Sequence, residues 1–173
     1  SRSYLFIYFS GIMLPSLIMM LRYSSRYKAA WIYRTAPISG EASIYKGALL
    51  ASLVRLMLPL YVIEAVIFAV LFGASIIPDL IVVGLAMFAF AILCFLFIRK
   101  GLPFSEPFEA AGQQNQSFVV MGLMLLLGAF GVLHWLATTL PFGVVAYGLL
   151  MIAVTWLGWR LAFQTRGTQK VTR

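Results

Sequence analysis

The sequence predicts an all-α membrane protein: a polytopic bundle of about five transmembrane helices plus one interfacial amphipathic helix. Two observations carry this. Apolar residues make up 62% of the 173-residue chain and charged residues only 10%, whereas a soluble domain needs about 25% charged residues to cover its surface. The apolar residues are also gathered into long stretches, each about 18 to 26 residues and so long enough to cross roughly 30 Å of hydrocarbon. Strands of a membrane β-barrel would run about ten residues with strict alternation, which these stretches do not show.

Five spans follow in order. The first runs from about Tyr4 to Leu21 and contains Pro15. The second, from about Gly47 to Phe72, contains Arg55, Pro59 and Glu64. The third, Leu80 to Ile98, carries no charge, the fourth covers about Phe118 to Leu140, and the fifth about Val144 to Phe163. Residues 1–173 read as a single transmembrane domain. Cys94, the one cysteine, lies inside span three, so no intrachain disulfide can form, and no cofactor or metal site is expected.

The formal charge of +8 raises the question of a nucleic-acid partner. A DNA or RNA binder gathers its basic residues on a water-facing patch; here they sit at the ends of apolar stretches, and no nucleic-acid partner is expected. Of 13 Lys and Arg, 11 fall on one side: Arg22, Arg26, Lys28, Arg34 and Lys46, then Arg99 and Lys100, then Arg160, Arg166, Lys170 and Arg173. Arg2 is alone on the other side and Arg55 lies within a span. The turns Gly73 to Asp79 and Pro141 to Gly143 contain no Lys or Arg. The positive-inside rule therefore places the long loops and the C-terminus in the cytoplasm and the N-terminus outside.

The segment from Arg22 to Lys46 is the most informative. Tyr23, Tyr27 and Trp31 recur every fourth residue, with Arg22, Arg26, Lys28 and Arg34 around them. On a helix these rings form one stripe, and such a helix lies in the membrane interface with its cations toward anionic lipid or an acidic partner. It is either a plain interfacial anchor or a docking helix for a cytoplasmic subunit. Pro37 is expected to end it, and Ser39 to cap a new helix with Glu41 in its first turn.

Ala30-Trp31-Ile32-Tyr33, then Ala36-Pro37-Ile38, then Lys46-Gly47-Ala48 opening a helix, resembles the cytoplasmic stretch of bacterial exporter permeases of the ATP-binding cassette type, and Leu102-Pro103-Phe104-Ser105 is similar to a piece of the same proteins. The resemblance rests on these two loops and the helix order. It implies a permease subunit in the bacterial cytoplasmic membrane, coupled through short cytoplasmic helices to a separate ATP-binding subunit. The sequence has no G-x-x-x-x-G-K-[ST] phosphate loop of its own. It is short for a complete permease, and residues 1–21 lack the cleavage site of a signal peptide. The expectation is a C-terminal portion of a longer permease, whose earlier helices precede it or lie on another chain.

Within the spans, Arg55 and Glu64 are ionisable residues placed where charge costs about 2.5–3.5 kcal/mol on insertion scales. Arg55 can snorkel toward the cytoplasmic face. Glu64 is too short to do so and is expected to face the bundle interior, protonated or paired with another helix or chain. Gly47, Ala51 and Arg55 share a row with Ala48 and Ser52 beside it, and Gly128 and Gly131 mark span four; small residues at such spacing let helices approach closely. His134 beside Trp135 reads as an interfacial belt position. The chain has no H-E-x-x-H or G-x-S-x-G motif, and Glu106 and Glu109 have no His or Cys partner nearby in sequence, so no enzyme is expected.

The leading expectation is a membrane-embedded permease subunit energised by a separate ATPase. Two alternatives stand beside it: a non-transporting subunit that anchors or assembles a membrane complex, and a polytopic membrane enzyme, which would need a wet pocket lined by Arg55, Glu64 and His134.

Overall fold

Each long apolar stretch forms one helix in the computed structural model, which describes residues 2–35, 41–98, 101–113 and 116–164. Five of these helices are long and apolar enough to cross a membrane: α1 (Ser3–Met20), α2 (Ala42–Phe72), α3 (Ala74–Phe97), α4 (Ser117–Ala137) and α5 (Gly143–Phe163). The protein is therefore an all-α, multi-pass membrane bundle. Helix α3 is the axis of the bundle. It has the highest mean hydropathy of the five, 3.0, and 56% of its span is buried. It packs most extensively along α5 and also against α1, α4 and α2. Val83, Ala86, Ala89, Phe90 and Cys94 along it are fully enclosed.

Local chemistry explains three departures from plain α-helix. Helix α1 runs as 3-10 helix over Ser3–Ile12 before turning α-helical at Met13–Met20. Ten residues at about 2.0 Å and eight at about 1.5 Å reach roughly 32 Å, so 18 residues suffice to span the hydrocarbon. Helix α2 widens to a π-segment at Leu53–Met57, just before Pro59. Proline has no N–H to give the carbonyl four residues back, and the wider turn accommodates that gap. The turn from α4 to α5 is closed by backbone bonds from Thr139 to Leu136 and from Leu140 to Ala137. It needs glycine at position 143, where a Cβ would stand 2.1 Å from the Ala137 carbonyl oxygen.

Several boundaries differ from the expected ones. Helix α2 begins in the helix Glu41–Ser52, ahead of Gly47. The expected turn from Gly73 to Asp79 is mostly helical, with Ala74–Ile76 and Ile77–Phe97 running on from Gly73. Helix α4 ends at Ala137, because Thr138 and Thr139 fold their hydroxyls back onto the carbonyls of Trp135 and Leu136. Pro37, Ser39, Arg99, Lys100, Arg166, Lys170 and Arg173 lie outside the described residues.

The aromatic segment after α1 is divided. Tyr27–Trp31 and Ile32–Thr35 form a short helix, whereas Tyr23 sits in the preceding turn, buried and facing Phe108 at 6.4 Å between ring centroids. Tyr27 is half-buried, and Trp31, Arg26 and Lys28 are exposed. The rings therefore do not form one continuous stripe, because the backbone of residues 22–24 is committed elsewhere. Glu106 N–H bonds the Arg22 carbonyl at 3.0 Å, Ser24 N–H bonds the Glu106 carbonyl at 2.9 Å, and Phe104 N–H bonds the Leu21 carbonyl at 2.9 Å.

Candidate functional site: a polar chain across four helices

One group of buried polar side chains meets at the end of the bundle that carries Asp79 and the α4–α5 turn. Pro78 and Asp79 open the α-helical part of α3, where a carboxylate is favoured by the positive end of the helix dipole. His134 lies in the last turn of α4 and is fully buried. Its Nε2 is 3.2 Å from Asp79 Oδ1, and its Nδ1 is 3.1 Å from the Tyr8 hydroxyl of α1. The Tyr8 hydroxyl is 3.2 Å from that of Tyr147 on α5, and Tyr147 donates to the Phe130 carbonyl of α4 at 3.1 Å.

The result is one line of hydrogen-bonding groups, Asp79–His134–Tyr8–Tyr147–Phe130, that ties α1, α3, α4 and α5 together. Ring packing holds it in register. The Tyr147 ring stacks on the imidazole at 4.9 Å, and the Tyr8 ring meets it edge-on at 5.9 Å. Helix α2 joins the same end separately, its Tyr61 hydroxyl donating to the Leu80 carbonyl. Buried polar groups keep their conformation when each finds a partner, and an unpartnered one is costly. Asp79 gives the line its outlet, with a side chain 15% exposed against 0% for His134.

The sequence-predicted residues are distributed differently. His134 is a buried member of this line, whereas its neighbour Trp135 is 47% exposed; the belt position belongs to Trp135, and Arg2 reaches over its ring at 5.9 Å. Arg55 is exposed on the outer face of α2. Glu64 is half-buried, and its Oε2 is shielded from solvent with no hydrogen-bond partner among the described residues. Neither residue shares a site with His134, so the wet pocket expected of a membrane enzyme is not formed from these three. Gly47, Ala51 and Arg55 are exposed, and a Cβ at Gly47 or Gly128 would touch nothing within 4 Å among the described residues, whereas one at Gly131 would lie 3.8 Å from the Tyr8 ring. The tightest approaches between spans are at Gly11 and Gly84, whose Cβ positions lie 2.8 Å from Leu127 and Tyr61 atoms.

At the other end of the bundle, the Arg22 guanidinium is ion-paired with the Glu106 carboxylate and lies 5.5 Å from the Tyr23 ring centroid. Around this junction Trp31, Ile32, Phe104 and Phe108 are exposed. Phe104 adopts φ 57°, a region bulky residues rarely enter, and its N–H bond to Leu21 fixes it there. Among the described residues no three His, Cys, Asp or Glu side chains converge to hold a metal ion. Comparisons with protein-family models, with curated proteins and with solved structures find no significant match.

Proposed function

We propose that this chain is a membrane-embedded permease subunit of a transporter, in the manner of an exporter energised by a separate ATP-binding subunit. Its cationic loops then face the cytoplasm of a bacterium, and its N-terminal residues face outside. The observation that supports this reading is the junction of the two loops. Residues 21–24 and 104–106 are joined by backbone bonds and by the Arg22–Glu106 ion pair, which ties together the chain just ahead of the short helix Tyr27–Trp31 and the chain just ahead of the 3-10 helix Phe108–Gln113. Exposed Trp31 and Phe108, flanked by Arg26 and Lys28, make an aromatic and basic surface of the kind enriched at protein interfaces.

The experiment is extraction in mild detergent followed by identification of what stays bound. An ATPase retained with the wild type and released from the double variant Trp31→Ala, Phe108→Ala supports the reading. A chain that carries no ATPase, or a variant that keeps it, counts against it. A second reading, a non-transporting assembly subunit, draws on α2, of which only 6% of the span is buried and whose Glu64 Oε2 has no partner among the described residues. Under that reading Glu64→Gln alters complex assembly and ATP drives no transport in reconstituted vesicles.

A further inference from the structure

The polar line at the Asp79 end has one hydrogen too few. With Asp79 ionised and His134 neutral, three polar hydrogens are present: one on the imidazole and one on each hydroxyl of Tyr8 and Tyr147. Four contacts require one each: Asp79–His134, His134–Tyr8, Tyr8–Tyr147 and Tyr147–Phe130. In that state Nε2–H donates to Asp79, Tyr8 O–H donates to Nδ1, and the single Tyr147 hydrogen must serve both the Tyr8 oxygen and the Phe130 carbonyl. One added proton completes the set. Nδ1–H then donates to Tyr8, Tyr8 donates to Tyr147, and Tyr147 donates to Phe130. The link between Asp79 and His134 is served whether its hydrogen rests on the carboxyl or on Nε2.

We propose that Asp79, His134, Tyr8 and Tyr147 form a proton-binding site that takes up a single H⁺ from water through Asp79. Uptake reverses the direction of the Tyr8 hydroxyl and gives every contact its own hydrogen, binding α1 to α5 through α4. In a setting without water these contacts have no solvent to substitute for a missing partner. Asp79 is the part-exposed member and His134 the sealed one, so the proton enters at the carboxylate.

The groups facing the site are few. Tyr4 of α1 is hydrogen-bonded to Asp79 and brings its own hydroxyl hydrogen to that contact, so the shortfall of one is unchanged, and Arg2 lies beyond it. Arg2 holds the Thr138 carbonyl at 3.3 Å. From α2, Tyr61 approaches with Glu64 behind it. Phe130 contributes only its carbonyl, and α5 only Tyr147. The inference is independent of whether the chain serves a transporter.

His134 is the only histidine in the sequence, so ¹⁵N-histidine labelling reports on this site alone. In protein reconstituted in lipid nanodiscs, the ¹⁵N shifts are read between about pH 5 and pH 9, where imidazole chemistry changes. The expected result is that Nδ1 carries hydrogen at the acid end and loses it toward the alkaline end, where Nε2 alone carries the imidazole hydrogen. In Asp79→Asn the change disappears from that window. An Nδ1 that keeps one protonation state throughout in the wild type overturns the proposal without recourse to any variant. So does a folded Asp79→Asn protein that titrates as the wild type does.

Discussion

His134 Nε2 lies 3.2 Å from Asp79 Oδ1, joining the last turn of α4 to the first turn of α3 across 55 residues of sequence. The imidazole is fully buried, so removing the carboxylate leaves a polar nitrogen with neither protein nor water to bond. Asp79→Ala is expected to cost about 1–3 kcal/mol, the range for stranding a buried hydrogen-bonding group. The direct coupling is smaller: hydrogen bonds between membrane helices average about 0.6 kcal/mol in double-mutant cycles and reach about 1.7. Equilibrium unfolding in mixed micelles of Asp79→Ala, His134→Phe and the double variant measures both. A double variant as unstable as the sum of the two single ones would mean that the pair does not interact.

The Arg22–Glu106 ion pair is predicted to hold the two loops together. The side chains are 11% and 28% exposed, enough enclosure for a charge-assisted bond to contribute about 1.5–3 kcal/mol. Glu106→Ala should open the junction and expose the chain around Arg26 and Lys28. Local opening favoured by that 1.5–3 kcal/mol raises the open population roughly 10- to 150-fold, and limited trypsin digestion follows that population. Cleavage after Arg26 is expected to quicken by that factor, and the swapped pair Arg22→Glu, Glu106→Arg should recover much of the protection. Unchanged cleavage in Glu106→Ala would assign the junction to the backbone bonds alone.

The spans were legible because hydropathy is a local property: each apolar run is its own evidence, and α3, the span of highest mean hydropathy, is also the most buried. The polar line was not legible, for the same reason. Asp79 was read as part of an outer turn, and a window of apolar residues gives no hint that a carboxylate at its edge meets a histidine at the far end of the next membrane-spanning helix. Tyr8 and Tyr147 look like ordinary interfacial tyrosines. A usable signal did exist: Asp79 after Pro78 at the start of one helix, and His134 one turn from the end of another, sit at the same depth in the bundle. The glycine rows guided only at Gly131, which lies near the Tyr8 ring, because spacing identifies a face without telling whether a neighbour lies against it. Gly47 and Gly128 face open space, and Gly11 and Gly84 do the packing.

Substitution at Gly84 should separate these two classes of glycine. A Cβ there meets the Tyr61 ring at 2.8 Å, and that ring is held by its hydrogen bond to Leu80, so it cannot swing aside without losing a contact between α2 and α3. Gly84→Ala is expected to cost about 1–3 kcal/mol by overpacking. Gly128→Ala, which meets nothing within 4 Å, should be neutral or slightly stabilising, since alanine is the better helix former. Detergent melting of the two variants side by side checks the contrast, and equal melting temperatures would refute it.

Arg55 and Glu64, both within α2, sit in different surroundings on the same helix. Arg55 is exposed at the π-segment, with a stem long enough to carry its charge to the interface, so Arg55→Leu should leave the stability of the isolated chain unchanged. Glu64 Oε2 is shielded and has no partner among the described residues, so in the isolated chain the carboxyl is a burden. Glu64→Leu should raise that chain's unfolding stability, because it removes a polar group whose desolvation nothing offsets. If a neighbouring chain supplies a donor along α2, the same variant should weaken the complex while strengthening its subunit. Unfolding of the purified chain together with native-gel analysis of the complex reads both signs. A Glu64→Leu chain that unfolds more easily by itself would show that Glu64 is satisfied within its own helices, and would remove the argument that α2 awaits a partner.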